Sequence, residues 1–260
     1  MTKRRTAVVT GGGQGIGRAV ALALAARGDI VVVCGRTAET LQSVVDQIEV
    51  AGGDGFARPT DVRSAQEVEA LFDEVAHRYG DVGILVTCAV KSRVGGFLEL
   101  TDDDWAAHYE TKVLGAIRCI RQVIPAMRHQ RWGRIVNLAG TSARMSARGR
   151  MTNGMTNAAI TNVSKHLSEE FADDGILVNT VHPGFTETPR LDMIVQRTAA
   201  REGISVDQAR NRLQSGIPTG RFTRPEEIAD LVAFLCSERN QSITGQALAV
   251  DGGLAGAVTY

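Results

Sequence analysis

Aromatic side chains are scarce in this chain of 260 residues, at three tyrosines, two tryptophans and seven phenylalanines. No tyrosine lies between Tyr109 and Tyr260, so chemistry in that stretch has no phenol to serve as a proton donor. Charge bias is absent too. The 29 basic and 29 acidic residues cancel, which weighs against a nucleic-acid partner. Only four cysteines occur, Cys34, Cys88, Cys119 and Cys236, with no Cys-x-x-Cys pair. That excludes a disulfide framework, and all but Cys88 fall in apolar stretches expected to be core. The histidines are few, and His77, His108, His129 and His166 lack ligand spacing, so no metal is expected. No apolar run approaches a membrane-spanning length, and the opening Met-Thr-Lys-Arg-Arg-Thr-Ala-Val-Val-Thr reaches a glycine turn before a signal-peptide core would fit. A soluble, cytoplasmic protein without a membrane partner is expected. No repeat, low-complexity segment or linker divides residues 1–260, so a single domain is expected.

What the chain does have is rhythm. Apolar β-rich runs, Ala7-Val-Val, Ile30-Val-Val-Val, Ile84-Leu-Val, Arg134-Ile-Val, Ile176-Leu-Val and Ala247-Leu-Ala-Val, alternate with helical stretches near 15–27, 37–51, 64–79, 101–129, 151–173 and 225–236. A weaker strand lies near 55–58. Continuous apolar strands joined by helices predict a parallel sheet covered on both faces, a doubly wound Rossmann fold. Val113, Ile117, Ile120, Ile124 and Met127 share one face of their helix and suit core or subunit interface. Arg224-Pro-Glu-Glu opens a helix with proline and acids in its first turn, carrying Ile228, Leu231, Val232 and Leu235 inward. Thr101 followed by Asp102-Asp103-Asp104 reads as a helix cap. The polar stretch 188–217 interrupts the strand rhythm and is the candidate lid over a substrate site.

The first strand runs directly into Thr10-Gly-Gly-Gly-Gln-Gly-Ile-Gly17. Glycine permits a tight turn and close approach of phosphate, while the helix start offers free amides. Gly11, Gly13, Gln14, Gly15, Ile16 and Gly17 are therefore candidate pyrophosphate contacts; the competing reading is an ordinary glycine-rich turn. At the end of the second strand, Cys34-Gly35-Arg36-Thr37 has no acid to bind the ribose hydroxyls of NAD, and Arg36 can pair with a phosphate. NADP is favoured, with NAD left open.

Thr-Gly-x-x-x-Gly-Ile-Gly resembles the opening signature of the short-chain dehydrogenase/reductase family. Asp61-Val62 is similar to its adenine-contacting pair, Asn137 to its fifth-strand pattern, and Asn179-x-Val-x-Pro183-Gly184 to the turn beside the nicotinamide. Arg224-Pro-Glu-Glu-Ile, Thr244-Gly-Gln and Asp251-Gly-Gly resemble its C-terminal motifs, so the likeness covers about residues 5 to 253. It implies a seven-stranded sheet in the order 3-2-1-4-5-6-7, a homodimer or homotetramer, a small-molecule substrate, and further cofactor contacts at Cys88, Ala89, Val90 and Thr188.

In that family a tyrosine donates the proton, a lysine four residues on lowers its pKa, a serine orients the carbonyl and an asparagine completes a relay. Aligned on Ile135-Val-Asn137, the corresponding positions here are Asn153, Asn157, Gly140 and Lys112. The spacing holds, because Asn157-Ala-Ala-Ile runs without a gap to Gly175-Ile-Leu-Val-Asn179. Thr87-Cys-Ala-Val90 replaces the family's Asn-Asn-Ala-Gly. An asparagine amide supplies hydrogen bonds and no proton near neutral pH. Three substitutes are open: Lys112 projecting into the space at Asn157 as charge and acid; polar contacts from Thr141, Ser142, Lys91 or Arg93; or an acceptor needing no alkoxide stabilisation, such as an iminium, conjugated or quinone-like compound. Lys112, Asn153, Asn157 and Ser142 are accordingly the candidate catalytic residues. An atypical NADP-dependent oxidoreductase of specialised metabolism is the leading reading. A non-redox isomerase, dehydratase or cyclase, or a nucleotide-binding pseudoenzyme, is the alternative. His182 beside Pro183 reads as a satisfied strand-end histidine, and Cys88 as a packing residue.

Overall fold

A computed structural model describes residues 4–91, 93–146 and 148–256. The chain opens with β1 (Thr6–Thr10), α1 (Gly15–Ala26), β2 (Ile30–Gly35), α2 (Ala38–Val50), β3 (Asp54–Pro59), α3 (Ala65–Tyr79) and β4 (Val82–Thr87). It continues through α4 (Asp102–Tyr109), α5 (Gly115–Gln130), β5 (Gly133–Leu138), α6 (Met151–Glu170) and β6 (Ile176–Pro183). The remaining elements are α7 (Pro189–Glu202), α8 (Val206–Ser215), α9 (Pro225–Leu235) and β7 (Ala247–Val250). All seven strands are parallel and lie in the order β3-β2-β1-β4-β5-β6-β7, as expected from the sequence. The order reverses between β1 and β4, and the crevice at the carboxyl ends of the strands there is where this fold holds ligands.

Alternation along each strand builds the two layers. Ala7, Val9, Val31, Val33, Ile84 and Val86 point to one face, where α1, α2 and α9 cover them with Leu24, Leu41, Ile48 and Val232. Val8, Val32, Leu85, Ile135 and Val178 point to the other, against Leu71 and Val75 of α3 and Ile120, Val123 and Met127 of α5. Burying each such side chain is worth about 1.5–3 kcal/mol. A third, smaller cluster of Leu191, Val195, Ala209, Ile217 and Phe222 ties α7 to α8, so the polar stretch after Gly184 is a helix pair with its own apolar seam.

Two features depart from the periodic reading. The long helix near 101–129 is interrupted by a π-helical turn, Glu110–Leu114, between α4 and α5. Such wide turns mark functional sites and shift the phase of the helix face. Within α5, after that turn, Cys119 and Val123 are core residues beside Ile120 and Met127, while Ile117 and Ile124 are only half-buried. The second departure is α6, whose buried face is polar: Thr152, Asn153, Thr156, Asn157, Ser164 and Ser168, with Ile160 among them. These residues recur at helical spacing and aim hydrogen-bonding groups where other helices aim hydrocarbon.

Candidate functional site

The glycine turn is built for close approach. A side chain at Gly17 would place its Cβ 2.2 Å from the Gly11 carbonyl oxygen, and one at Gly11 would meet the Cys88–Ala89 peptide at 2.9 Å. Gly11 and Gly15 have φ of 65° and 53°, where glycine alone is unstrained. Gln14 at the start of α1 makes no side-chain cap to that helix's amides. Thr10 fixes the opposite wall, its Oγ1 accepting from the Cys88 and Ala89 amides at 3.1 and 3.2 Å.

Two adjoining cavities open at these strand ends. The smaller, of about 150 Å³, gathers Gly11, Gly13, Gln14, Arg36, Thr37, Asp61, Val62, Ala89 and Val90. The one carboxylate among its described lining residues, Asp61, is held 2.6 Å from the Arg63 guanidinium, and those hydrogen bonds keep its pKa below the usual carboxylate range. Arg63 and the exposed Lys91 therefore join Arg36 on this wall. Arg63 had no signal in spacing, since its position depends on the loop after β3.

The larger cavity, of about 270 Å³, brings together Lys112, Asn153, Asn157 and Ser142 with Ile16, Cys88, Pro183, Gly184 and Thr188. No tyrosine is among its described lining residues. The wide turn before α5 carries Lys112 inward, where Nζ donates to the Ala139 carbonyl at 3.1 Å. Burial, reinforced by the nearby Arg190 charge, lowers its pKa to about 8. Asn157 Nδ2 donates to Ser142 Oγ at 2.8 Å, and Asn157 Oδ1 is buried without a protein donor. Gly140 makes this possible, because a Cβ there would stand 2.8 Å from Asn157 Nδ2. Asn153 Oδ1 accepts from Arg190 Nη2 at 3.3 Å.

Other candidates are structural. Arg93 is exposed and pairs with Asp104 at 2.9 Å, outside the cavity. His182 is buried beside Thr161, 3.0 Å from its Oγ1, and burial takes its pKa down to about 4. The Cys88 thiol is pushed up to about 11 by burial, which leaves no thiolate for nucleophilic work. Asn137 bridges Thr87 Oγ1, at 2.5 Å, and Ser164 Oγ, at 2.8 Å, tying β4, β5 and α6 together. His108, with no spacing to single it out, is fully buried under α6 and 3.3 Å from Thr156 Oγ1, and burial lowers its pKa to about 3. Among the described residues no three of His, Cys, Asp or Glu converge as metal ligands would, and no helix is long and apolar enough to cross a membrane.

A family profile described as enoyl-(acyl carrier protein) reductase matches residues 11–255. A Streptomyces coelicolor protein with the provisional name ketoacyl reductase is 37% identical over 258 residues, covering 95% of this chain and 96% of that protein. The 3-oxoacyl-(acyl-carrier-protein) reductase FabG of Staphylococcus aureus is 32% identical over 255 residues, covering 98% and 99%. Among solved structures, a single-substitution variant of actinorhodin polyketide ketoreductase with NADPH superposes with a TM-score of 0.95 at 34% identity, covering 99% of this chain and all of that one. These likenesses run the length of the chain, through the glycine turn, both cavities and the helix pair, and the chain belongs to the short-chain dehydrogenase/reductase family.

Proposed function

We propose that this protein is an NADP-dependent oxidoreductase with a non-standard site, delivering hydride to a small organic acceptor with Lys112 as the charge and proton source. The observation that carries the reading is the Lys112 ammonium inside the larger cavity, beside two asparagines that offer only amides.

The residues fit the cofactor. The glycine turn leaves a space that any Cβ would fill, and Asn157 Oδ1 is a buried acceptor suited to a ribose hydroxyl. Gly11, Gly13, Gln14, Gly15, Ile16 and Gly17 would hold the pyrophosphate, with Arg36 and Thr37 at the 2′-phosphate and Asp61 and Val62 at the adenine. Cys88, Ala89, Val90, Pro183, Gly184 and Thr188 would border the nicotinamide. Bound NADPH supplies a hydride.

The chain's own groups supply the rest. A group with a pKa of about 8 is mostly protonated at neutral pH, so Lys112 has a proton to give and a charge for an acceptor that turns negative. Asn153 is oriented by Arg190 and Asn157 by Ser142, which holds both amides still for positioning. Helices α7 and α8 act as the lid, α7 closing one wall with Leu191 and Ile194. Such a site suits a conjugated or quinone-like acceptor, on which negative charge develops beside the Lys112 ammonium, better than an iminium, which is already cationic.

The test is turnover of 1-pyrroline and cinnamaldehyde with 4-deuterated NADPH, which leaves the label on carbon, with menadione followed by NADPH oxidation alone because its hydroquinone exchanges hydrogen with water. Deuterium in the product is expected. Turnover without label would place the protein among non-redox isomerases, dehydratases or cyclases, and absence of both turnover and NADPH binding by fluorescence titration would make it a pseudoenzyme.

A further inference from the structure

We propose that the larger cavity takes a small carboxylate, with Arg150 and Arg197 binding the anion and Lys112 facing the acceptor group. The inference deepens the redox reading and rests on this cavity being its acceptor site.

Charges balance over the whole chain, yet the described lining residues of this cavity include four cations and neither Asp nor Glu. They arrive from three separate segments: Lys112 from the wide turn, Arg150 from the residue before α6, and Arg190 and Arg197 from α7. Seven residues apart, the last two share one face of that helix. The chain's other surface arginines commonly sit on acids, as Arg63 does on Asp61 and Arg221 on Glu227. Among the described residues, neither Arg150 nor Arg197 has a carboxylate within ion-pair distance.

Two of the guanidinium groups are also oriented. Arg150 lies over the Phe185 ring, 5.0 Å from its centroid, and Arg190 donates to Asn153. Arg197 is exposed and stands at the mouth, whereas Lys112, Arg150 and Arg190 are partly buried. Burial lowers the pKa of all three, and like charges deepen the effect: Arg190 acts on Lys112 and Arg150, and Arg197 on Arg190. A guanidinium such as Arg150, drawn into a partly dry site with no carboxylate of the described residues beside it, is stabilised when an anion enters. Guanidinium forks match carboxylate geometry bidentately. The apolar wall of Val94, Leu138, Phe185, Leu191 and Ile194 favours a monoanion with a hydrocarbon body over a more strongly hydrated phosphate.

The test is calorimetric titration of the full-length protein saturated with NADP, using benzoate, cinnamate and phenylpyruvate, the uncharged benzamide and cinnamamide, and phenyl phosphate. At least one of benzoate and cinnamate should bind about tenfold or more tightly than its amide. Arg150→Gln and Arg197→Gln should each weaken it by about threefold or more, while Arg93→Gln, outside the cavity, leaves it unchanged. NADP affinity should be the same in all three variants. Because Arg197 is exposed, its variant keeps the test informative even where Arg150→Gln fails to fold. Amides binding as well as carboxylates, phenyl phosphate exceeding every carboxylate, or Arg93→Gln acting like Arg197→Gln would overturn the proposal. Carboxylate discrimination without any deuterium transfer would refute the redox reading alone. Hydride transfer accompanied by no carboxylate preference would refute this inference alone.

Discussion

Replacing Lys112 with methionine should make the folded protein more stable and the enzyme far slower. The ammonium is inserted into the cavity with one carbonyl as its protein partner, and its pKa falls from 10.5 to about 8. Below pH 8 both folded and unfolded chains carry the charge, so folding bears the full penalty. Between about 8 and 10.5 the folded protein has shed this proton and the unfolded chain has not, so the penalty fades as pH rises and is gone above that window. The fall from 10.5 to about 8 corresponds to about 3 kcal/mol. Losing the bond to Ala139 costs about 1 kcal/mol, so Lys112→Met should gain about 2 kcal/mol at pH 7. Urea denaturation of both proteins from pH 6.5 to 9.5 checks this, and the gap between them should shrink above pH 8. Hydride transfer should fall by about 10²–10⁴-fold, the usual effect of removing a positioned acid. In the native enzyme kcat/KM should decline above about pH 8 as Lys112 deprotonates. A variant that is less stable at pH 7 yet fully active would refute the reasoning.

Three other outcomes follow from the same geometry. Gly17→Ala, whose Cβ would stand 2.2 Å from the Gly11 oxygen, should abolish NADPH binding in a fluorescence titration while leaving Lys112→Met effects on stability measurable. Arg36→Glu should reverse cofactor preference, with NADPH affinity falling about tenfold or more relative to NADH; equal affinities in both proteins would show that Arg36 does not read the 2′-phosphate. Asn157→Lys should destabilise by about 3 kcal/mol or more, because it adds a second ammonium beside Lys112 with no new acid to pair it. A urea midpoint unchanged from the parent protein would count against the crowded-cation description of the cavity.

The fold was legible because burial on both faces of a parallel sheet leaves strands such as Ile30-Val-Val-Val almost wholly apolar, and the glycine spacing reports a backbone constraint that no other residue meets. The polar buried face of α6 was not legible as such, since Thr152, Asn153 and Thr156 carry no hydrophobic period to mark them as inward. Nor was the wide turn at Glu110–Leu114, which the sequence hides inside one continuous helical stretch. The alignment on Ile135-Val-Asn137 pointed to Lys112 and the asparagines. Arg63, Arg150, Arg190 and Arg197 escaped it, because loops and helix starts distant in sequence bring their guanidinium groups to the cavities.

On the proposed reading, Lys112, Gly140, Asn153 and Asn157 act as one unit. Asn157 reaches Ser142 beside a residue 140 that lacks a side chain, and on the proposed reading the charge of the site is supplied by Lys112, lodged against the carbonyl of Ala139 next to Gly140. A serine placed at 140 by itself would press on the Asn157 amide, and a lysine placed at 157 by itself would face Lys112 across the same space. Contacting residues have energies that do not add, so on this reading each of these positions should depend on the others. Restoring one family residue at a time should therefore lose stability without gaining activity. Combined Lys112→Asn, Gly140→Ser, Asn153→Tyr and Asn157→Lys, the set that the family resemblance implies, should regain stability over the single changes in a urea titration, and a quadruple variant no more stable than Asn157→Lys alone would refute the coupling.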